Sequence, residues 1–457
     1  MRRTEIYCCS TLLSLATALA WRGLPSGEGR DDAPVRRVLL VSDYAAEAEV
    51  GTPLLRRDGA AALTAGFDLV VDVNELLAPY HPASFEAGRD AAVLLGRLLA
   101  DQWGAVGDVE LVVEPIQVSF ARWLLHLLPD APVTVVADGL MAYGPTRDHV
   151  PHWIGRRITR LVHVDLVLGL RPVYLTEHAV PSEPVPGRRL REVLDGALGS
   201  KPTAPGGALV LGQYLSALGV LTADEEQALH LEAVVQAADL GGGRVAFKPH
   251  PAASPLLVSG LRAAAAAKGI DLEVLAASGP AEALFAGGAY AVVAGSFSTG
   301  LFTARTVYGL RSISVGTDLL LERLRPYQNS NRIPVTLADA LLRPPSAVPP
   351  GEAVRPDQVG ELVQAVAYCM QPDRYPQLRL RALATLGAHP RWRDRYVKRK
   401  RLRALDLMGG GPSAVSRSRT GKGVRLPRPL RQALLQAVWR TLPESARRMV
   451  RRVRSSS

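Results

Sequence analysis

Arg244-Val245-Ala246-Phe247-Lys248-Pro249-His250-Pro251 begins as an apolar run and ends in a lysine and a histidine fenced by two prolines. A short continuous apolar run of this kind predicts a buried strand of a parallel sheet, and proline, which lacks the N–H a ladder needs, ends it. Lys248 and His250 then sit at a strand's carboxyl end, where open α/β sheets bind their ligands. Two donors held there with little freedom suit a phosphate. A rigid strand-exit turn, with Lys248 solvated and His250 packed on proline, accounts for the same pentapeptide.

Outward from that stretch the pattern repeats. Strands are expected at 208–211, 272–275, 291–294 and 312–315, with an acid-capped helix at 222–240 and an alanine-rich helix at 256–268. An earlier series has strands at 38–42, 68–73, 109–114 and 133–137, separated by helices at 84–103 and 118–128. The N-terminal stretch, with Arg2, Arg3 and the apolar residues 6–20, has some features of a secretory leader. Glu5 in the basic region and the Ser10-Thr11 break favour a first strand followed by a helix at 12–21 instead. Strands alternating with helices predict parallel, doubly wound α/β sheets. The proline- and glycine-rich segment 181–207 divides the two series, so two Rossmann-like halves face each other across a cleft. The expected organisation is an N-terminal Rossmann-like domain at 1–185, a linker at 186–207, a second Rossmann-like domain at 208–345, a closing helical segment at 346–390 and a basic tail at 391–457.

Composition agrees with a globular chain: 457 residues, 47% hydrophobic and 21% charged. No apolar run approaches the ~18 residues of a spanning helix. Three cysteines, Cys8, Cys9 and Cys369, make neither a disulfide framework nor a zinc cluster. The net charge of +11 is unevenly placed, because residues 391–457 hold 20 Lys and Arg against Asp394, Asp406 and Glu444. The first 390 residues are net acidic, so the basic character gives no reason to expect a nucleic-acid partner. Within the tail, Leu430, Leu434, Val438 and Leu442 form one stripe, and Met449, Val450 and Val453 fall in a second. A basic amphipathic pattern suits an anionic membrane surface, which would place the protein in the cytoplasm, peripheral to the inner face of the cell membrane. A solvated extension reads equally well from the same residues.

Three further segments carry possible chemistry. Gly295-Ser296-Phe297-Ser298-Thr299-Gly300 leaves a strand and enters a helix, so backbone N–H groups and the hydroxyls of Ser298 and Thr299 suit an anion. The same hydroxyls also serve as helix caps. Glu282 opens a short helix where the dipole favours an acid regardless of function, and where a ribose could offer two hydroxyls. Asp138-Gly139 ends the strand at 133–137. A carboxylate there faces the opposite half as a general base, with Gly139 admitting a close approach, and an Asp-Gly turn without chemistry is the competing account. His149, His152 and His163 lack a convincing ligand spacing and read as surface or structural residues.

This set resembles the GT-B-fold bacterial sialyltransferases, and within them the bacterial alpha-2,8-polysialyltransferase family. The resemblance spans roughly residues 4–342 and includes Val-Glu-Pro-Ile-Gln-Val (113–118), Ala-Asp-Gly-Leu-Met-Ala-Tyr-Gly-Pro-Thr-Arg (137–147), Leu-Gly-Gln-Tyr-Leu-Ser-Ala-Leu-Gly (211–219) and Arg-Pro-Tyr-Gln-Asn-Ser-Asn-Arg (325–332). It implies a GT-B-like fold and an enzyme that moves sialic acid from CMP-sialic acid to a glycan hydroxyl. By its pattern Asp138 is the base, His250 binds the CMP phosphate and protonates it, and Ser298 and Thr299 hold its oxygens. Lys248 would contact the cytosine and Glu282 the ribose, with Gln213 and Gly139 also at the substrate. The family motif often carries a second acid before the Asp-Gly; here that position is Ala137, which leaves Asp138 as the only base candidate. No Asp-x-Asp triplet occurs, and a monophosphate donor held by side chains is expected, with inversion at the anomeric carbon, no metal and no cofactor. Transferases using Kdo or polyol-phosphate donors, or a catalytically silent nucleotide-binding protein of surface-glycan assembly, are the alternatives.

Overall fold

The first strand, Arg3–Cys9 (β1), pairs in parallel with Val35–Val41 (β2) on one side and with Val109–Val113 (β4) on the other. The N-terminal stretch is therefore the middle of a sheet. Its side chains alternate as a buried strand requires: Ile6 and Cys8 enter the core on one face, Tyr7 and Cys9 the core on the other. Thr11 then caps the helix Leu12–Arg22 by accepting from the Ser14 N–H, and Ser14 returns a bond to the Thr11 N–H. The structure, a computed structural model, describes residues 3–23, 35–44, 53–85, 93, 96–97, 100–103, 108–199, 207–276, 279–287, 290–344, 347–349 and 352–408.

With Leu69–Asp72 (β3), Val133–Ala137 (β5), Ile158–Val164 (β6) and Ser182–Val185 (β7), the first sheet has the order β3-β2-β1-β4-β5-β6-β7. The second sheet contains Ala208–Leu211 (β8), Arg244–Lys248 (β9), Asp271–Val274 (β10), Val292–Gly295 (β11) and Ser312–Ser314 (β12), ordered β10-β9-β8-β11-β12. Every pairing in both sheets is parallel. One apolar cluster joins the inner faces of the two sheets to the C-terminal helices, and separate clusters cover the other face of each sheet. This is the expected GT-B-like pair of Rossmann-like halves. Most of the expected helix at 84–103 lies outside the described residues; 93, 96–97 and 100–103 are helical.

Three expectations change. The segment 186–207 is not simply a linker, because the helix Gly187–Leu198 buries Leu190 and Leu194 in the first half. Its prolines misled for local reasons: Pro184 sits on β7, an edge strand that can spare an N–H, and Pro186 precedes the helix at its cap position. Strands β6 and β7, which complete the first sheet, were not among the expected elements. The tail also begins later than residue 391. The compact unit runs to Met408, since the helices Pro390–Tyr396 and Arg399–Ala404 bury Trp392, Tyr396 and Leu402. The amphipathic stripes proposed beyond it lie outside the described residues.

The C-terminal helices tie the halves together. Asp339, on the helix Arg332–Leu342, is fully buried and receives two bonds from Arg395 (2.7 and 2.6 Å), one from Tyr396 (2.7 Å) and one from Thr317 (2.5 Å). Tyr375 returns to the first half, where its hydroxyl accepts from the Thr146 N–H at 2.9 Å and donates to Glu177 at 2.7 Å. Arg374 donates to the carbonyls of Thr146 and its neighbours, fixing the loop that follows Asp138.

Candidate active site

β9 ends as the sequence predicts, in a buried Lys248 followed by Pro249 and His250. The Ala252 N–H donates to His250 Nδ1 at 3.1 Å, which in the neutral ring places the proton on Nε2 as a donor. The Tyr214 ring stacks on the imidazole with centroids 4.0 Å apart and planes 22° from parallel. Tyr214 is held in turn by its neighbours. The buried Glu226 carboxylate accepts from the Leu215 N–H at 2.7 Å and the Ser216 N–H at 2.9 Å, and His230 Nε2 accepts from the Gln213 N–H at 3.1 Å. Gly212 is required at this strand exit, since a Cβ there would lie 2.6 Å from the Phe247 ring.

Charges at this exit are arranged unfavourably for a free histidine. Burial first, and then the Lys248 ammonium, hold His250 down at about 4, with Glu226 opposing them. Burial lowers Lys248 as well, and Glu282 partly restores it. Glu282 is itself buried and raised, chiefly by desolvation and further by Asp138, while Lys248 lowers it. The four residues Lys248, His250, Glu282 and Asp138 thus form one electrostatically connected group.

On the opposite side Asp138 leaves β5, and Thr11 Oγ1 donates to its Oδ2 at 2.7 Å. Burial raises the Asp138 carboxyl, and the Thr11 hydroxyl offsets this only in part. Glu114 lies just past the end of β4, and its Oε2 accepts from the Ser10 N–H (3.2 Å) and hydroxyl (2.8 Å). Burial, and then the Asp138 charge, push Glu114 up to about 8. Since β4 and β5 are neighbours, the cavity holds a second carboxylate, Glu114, beside the expected Asp138. Glu114 fell inside the quoted 113–118 segment without a role, and the one signal available was its position at a strand end matching that of Asp138.

The halves meet at Thr299. The Leu140 N–H donates to Thr299 Oγ1 at 3.4 Å, and a Cβ on Gly139 would come within 3.1 Å of the same oxygen. Gly139 therefore leaves room for Thr299. Ser298 does cap the helix Thr299–Thr306, its Oγ accepting from the Gly300 N–H at 3.2 Å. In both residues the hydroxyl oxygen is used as an acceptor, which leaves the hydroxyl hydrogen to donate. Between the halves lies a cavity of about 440 Å³ lined by Glu114, Asp138, Gly139, Gln213, Ser298 and Thr299, among others. Gln213 Oε1 is buried there without a hydrogen-bond partner. Lys248, His250 and Glu282 are not part of that lining and belong to the site through the electrostatic links above. Arg147, Gln328 and Asn331 also line it. Among the described residues no group of three or more His, Cys, Asp or Glu is placed to hold a metal ion, and no helix is long and apolar enough to cross a membrane.

Comparison with known proteins matches the family model Alpha-2,8-polysialyltransferase (POLYST) to residues 67–317, more than half of the chain. No curated protein matches. Similar solved structures include a sialyltransferase from Photobacterium damselae, residues 113–497 corresponding to its GT-B domain, at 13% identity and TM-score 0.38, covering 74% of this chain and 96% of that one. A glycosyltransferase from Rickettsia africae ESF-5 is similar at 11% identity and TM-score 0.38, covering 88% and 96%. Acinetobacter baumannii MurG is similar at 11% identity and TM-score 0.38, covering 89% and 99%. The chain belongs to the alpha-2,8-polysialyltransferase family and is a glycosyltransferase.

Proposed function

We propose that this glycosyltransferase moves sialic acid, or a similar 2-keto sugar acid, from a CMP-activated donor to a glycan hydroxyl, with inversion and without a metal. The observation that carries the reading is the pairing of two strand exits: a half-buried carboxylate, Asp138, on one half, and on the other His250, with Nδ1 engaged and Nε2–H left to donate, beside Lys248. Acceptor O–H deprotonation and phosphate departure are the two demands of this transfer, and they need opposite chemistry from opposite faces.

In the proposed reaction Asp138 takes the acceptor's hydroxyl proton as the acceptor oxygen bonds to the anomeric carbon. The bond from that carbon to the phosphate oxygen breaks, and its electron pair stays on the phosphate. His250 Nε2–H, the Lys248 ammonium and the hydroxyls of Ser298 and Thr299 stabilise that developing charge. An anion beside His250 favours its protonated form, so donor binding lifts the imidazole from about 4 and readies it to protonate the departing CMP. Glu282 is the acceptor for ribose hydroxyls, Lys248 reaches the cytosine edge, and the orphaned Gln213 Oε1 takes a donor from the nucleotide or sugar. The charge that develops on the leaving group is that of one phosphate, which two cationic groups and two hydroxyls match without a divalent ion.

Calorimetric titration of CMP, with UDP and CDP as controls and chelator present, tests the donor site. CMP-selective binding weakened about tenfold or more in His250→Ala is expected, followed by transfer from CMP-sialic acid that Asp138→Ala abolishes. Equal binding of all three nucleotides, or a requirement for divalent metal, overturns the reading.

A further inference from the structure

The resemblance left Asp138 as a lone acid, but the fold does not. Glu114 and Asp138 leave the ends of adjacent parallel strands, line the same cavity, and are held by consecutive residues of one turn, Ser10 and Thr11. Among the described residues, no Lys, Arg or His forms a hydrogen bond or ion pair with either carboxylate. The other titratable groups that act on Glu114 or feel its charge are Cys8 and Cys9 on β1, Tyr44 after β2, and Tyr174. Asp138 also interacts with Cys9 and with Glu282. Burial keeps the two thiols and two phenols protonated at neutral pH, so none of them supplies a counter-charge. Arg147 lines the same cavity, and Lys248 is linked to Asp138 through Glu282. Two ionised carboxylates confined together with no cation bonded to either repel, and such a pair gives up its first proton far more readily than its second.

We propose that Glu114 and Asp138 act as one acid–carboxylate unit, in which Glu114 retains a proton so that Asp138 stays ionised and directed at the acceptor hydroxyl. This rests on the reading of Asp138 as the base. Glu114 acts through Asp138 and is a positioning residue. The assignment within the pair follows from burial first and the Asp138 charge second, which together raise Glu114 to about 8 against the Ser10 hydrogen bonds that favour its charged form. The arrangement also limits the negative charge that an anionic donor meets on entry. When Asp138 takes the acceptor proton, both groups are neutral, and one proton passes to water before the next cycle.

Infrared difference spectroscopy of the full chain, titrated with pH and without substrate, reads the protonated carboxyl directly. Wild type is expected to show a carboxylic C=O band at pH 7 that disappears as pH rises through about 8 and is missing from Glu114→Gln. In Asp138→Asn the band persists but titrates at lower pH, because the second charge is gone. A wild type without such a band at pH 7, or a band unchanged in Glu114→Gln, overturns the proposal. In transfer assays kcat/KM falls above pH 8 in wild type, and this limb is absent from Glu114→Gln; the same limb in both proteins counts against it. Because the infrared readout needs no donor, a failed donor assignment leaves it intact, and a failed proton assignment leaves nucleotide binding intact.

Discussion

Two aspartates in this molecule, Asp339 fully buried and Asp138 half-buried at the cavity, have opposite surroundings. Asp339 sits between the helices Arg332–Leu342 and Pro390–Tyr396; burial pushes its carboxyl up, but bonds from Arg395, Thr317 and Tyr396 outweigh burial and leave it below the ordinary range. Asp138, at the end of β5, meets a hydroxyl and a second acid, and it is left above the ordinary range. The first arrangement satisfies a charge and fixes a helix. The second leaves a charge under-compensated, which is how a protein keeps a carboxylate basic enough to take a proton. The contrast separates a residue that holds the fold from one proposed to carry chemistry.

The largest expected effects fall one on each side of that contrast. Asp138→Asn keeps the shape and removes the proton acceptor, so kcat for transfer falls by about 10² to 10⁴ while thermal stability is unchanged or rises. Asp339→Ala does the reverse. It takes the acceptor from the Thr317 and Tyr396 hydroxyls and leaves Arg395 only its ion pairs with Asp318 and Glu352, so unfolding in urea shows a loss of about 2 kcal/mol or more, with kcat of the remaining folded protein near wild type. An Asp138→Asn protein that loses stability as Asp339→Ala does, or an Asp339→Ala protein that loses turnover instead, breaks the comparison.

A smaller effect follows from pH. Asp339, depressed in the fold, stabilises the native state above its unfolded value near 4, and that contribution is lost as pH falls through the lower folded value. Glu114, raised in the fold, contributes in the opposite direction. Its stabilisation is fully present below the unfolded value of about 4.3 and declines as pH rises through about 8. Urea midpoints measured between pH 6 and 9 are expected to fall in wild type, by an amount on the order of 1 kcal/mol once exposure to the cleft is allowed for, and to flatten in Glu114→Gln. Parallel curves for the two proteins contradict the raised Glu114.

The same contrast explains what the sequence discloses. Asp138-Gly139, Lys248-Pro249-His250 and Ser298-Thr299 are legible because an apolar run followed by a breaker fixes each at a strand exit through local chemistry alone. Glu114 is not, since its partnership with Asp138 exists only through the lateral pairing of β4 with β5 across 24 positions of chain. Tyr214 likewise meets His250 only through the adjacency of β8 and β9. Residues 391–408 read as part of a basic tail because arginines were counted as charge. In the fold Arg395 is instead a partner for Asp339, and Trp392 and Tyr396 are core.

The smallest effect concerns the β9 exit and separates two causes at one residue. His250 is held at about 4 by burial first and by Lys248 second. Lys248→Met keeps the apolar stem and removes the ammonium, so in the free protein the imidazole titration followed by NMR is expected to rise while remaining below the ordinary 6.5. Return to the ordinary value would show that charge alone held the ring neutral, and that the pocket around Tyr214 and Pro249 contributes no desolvation. No change at all would place the Lys248 ammonium too far from His250 to share one phosphate with it. An intermediate rise, followed by a further rise on adding CMP, fits a ring that burial keeps neutral until the nucleotide supplies the counter-charge. The two strand exits would then be mirror images in their electrostatics: one keeps an acid unpaired to accept a proton, and the other keeps a base uncharged until an anion arrives.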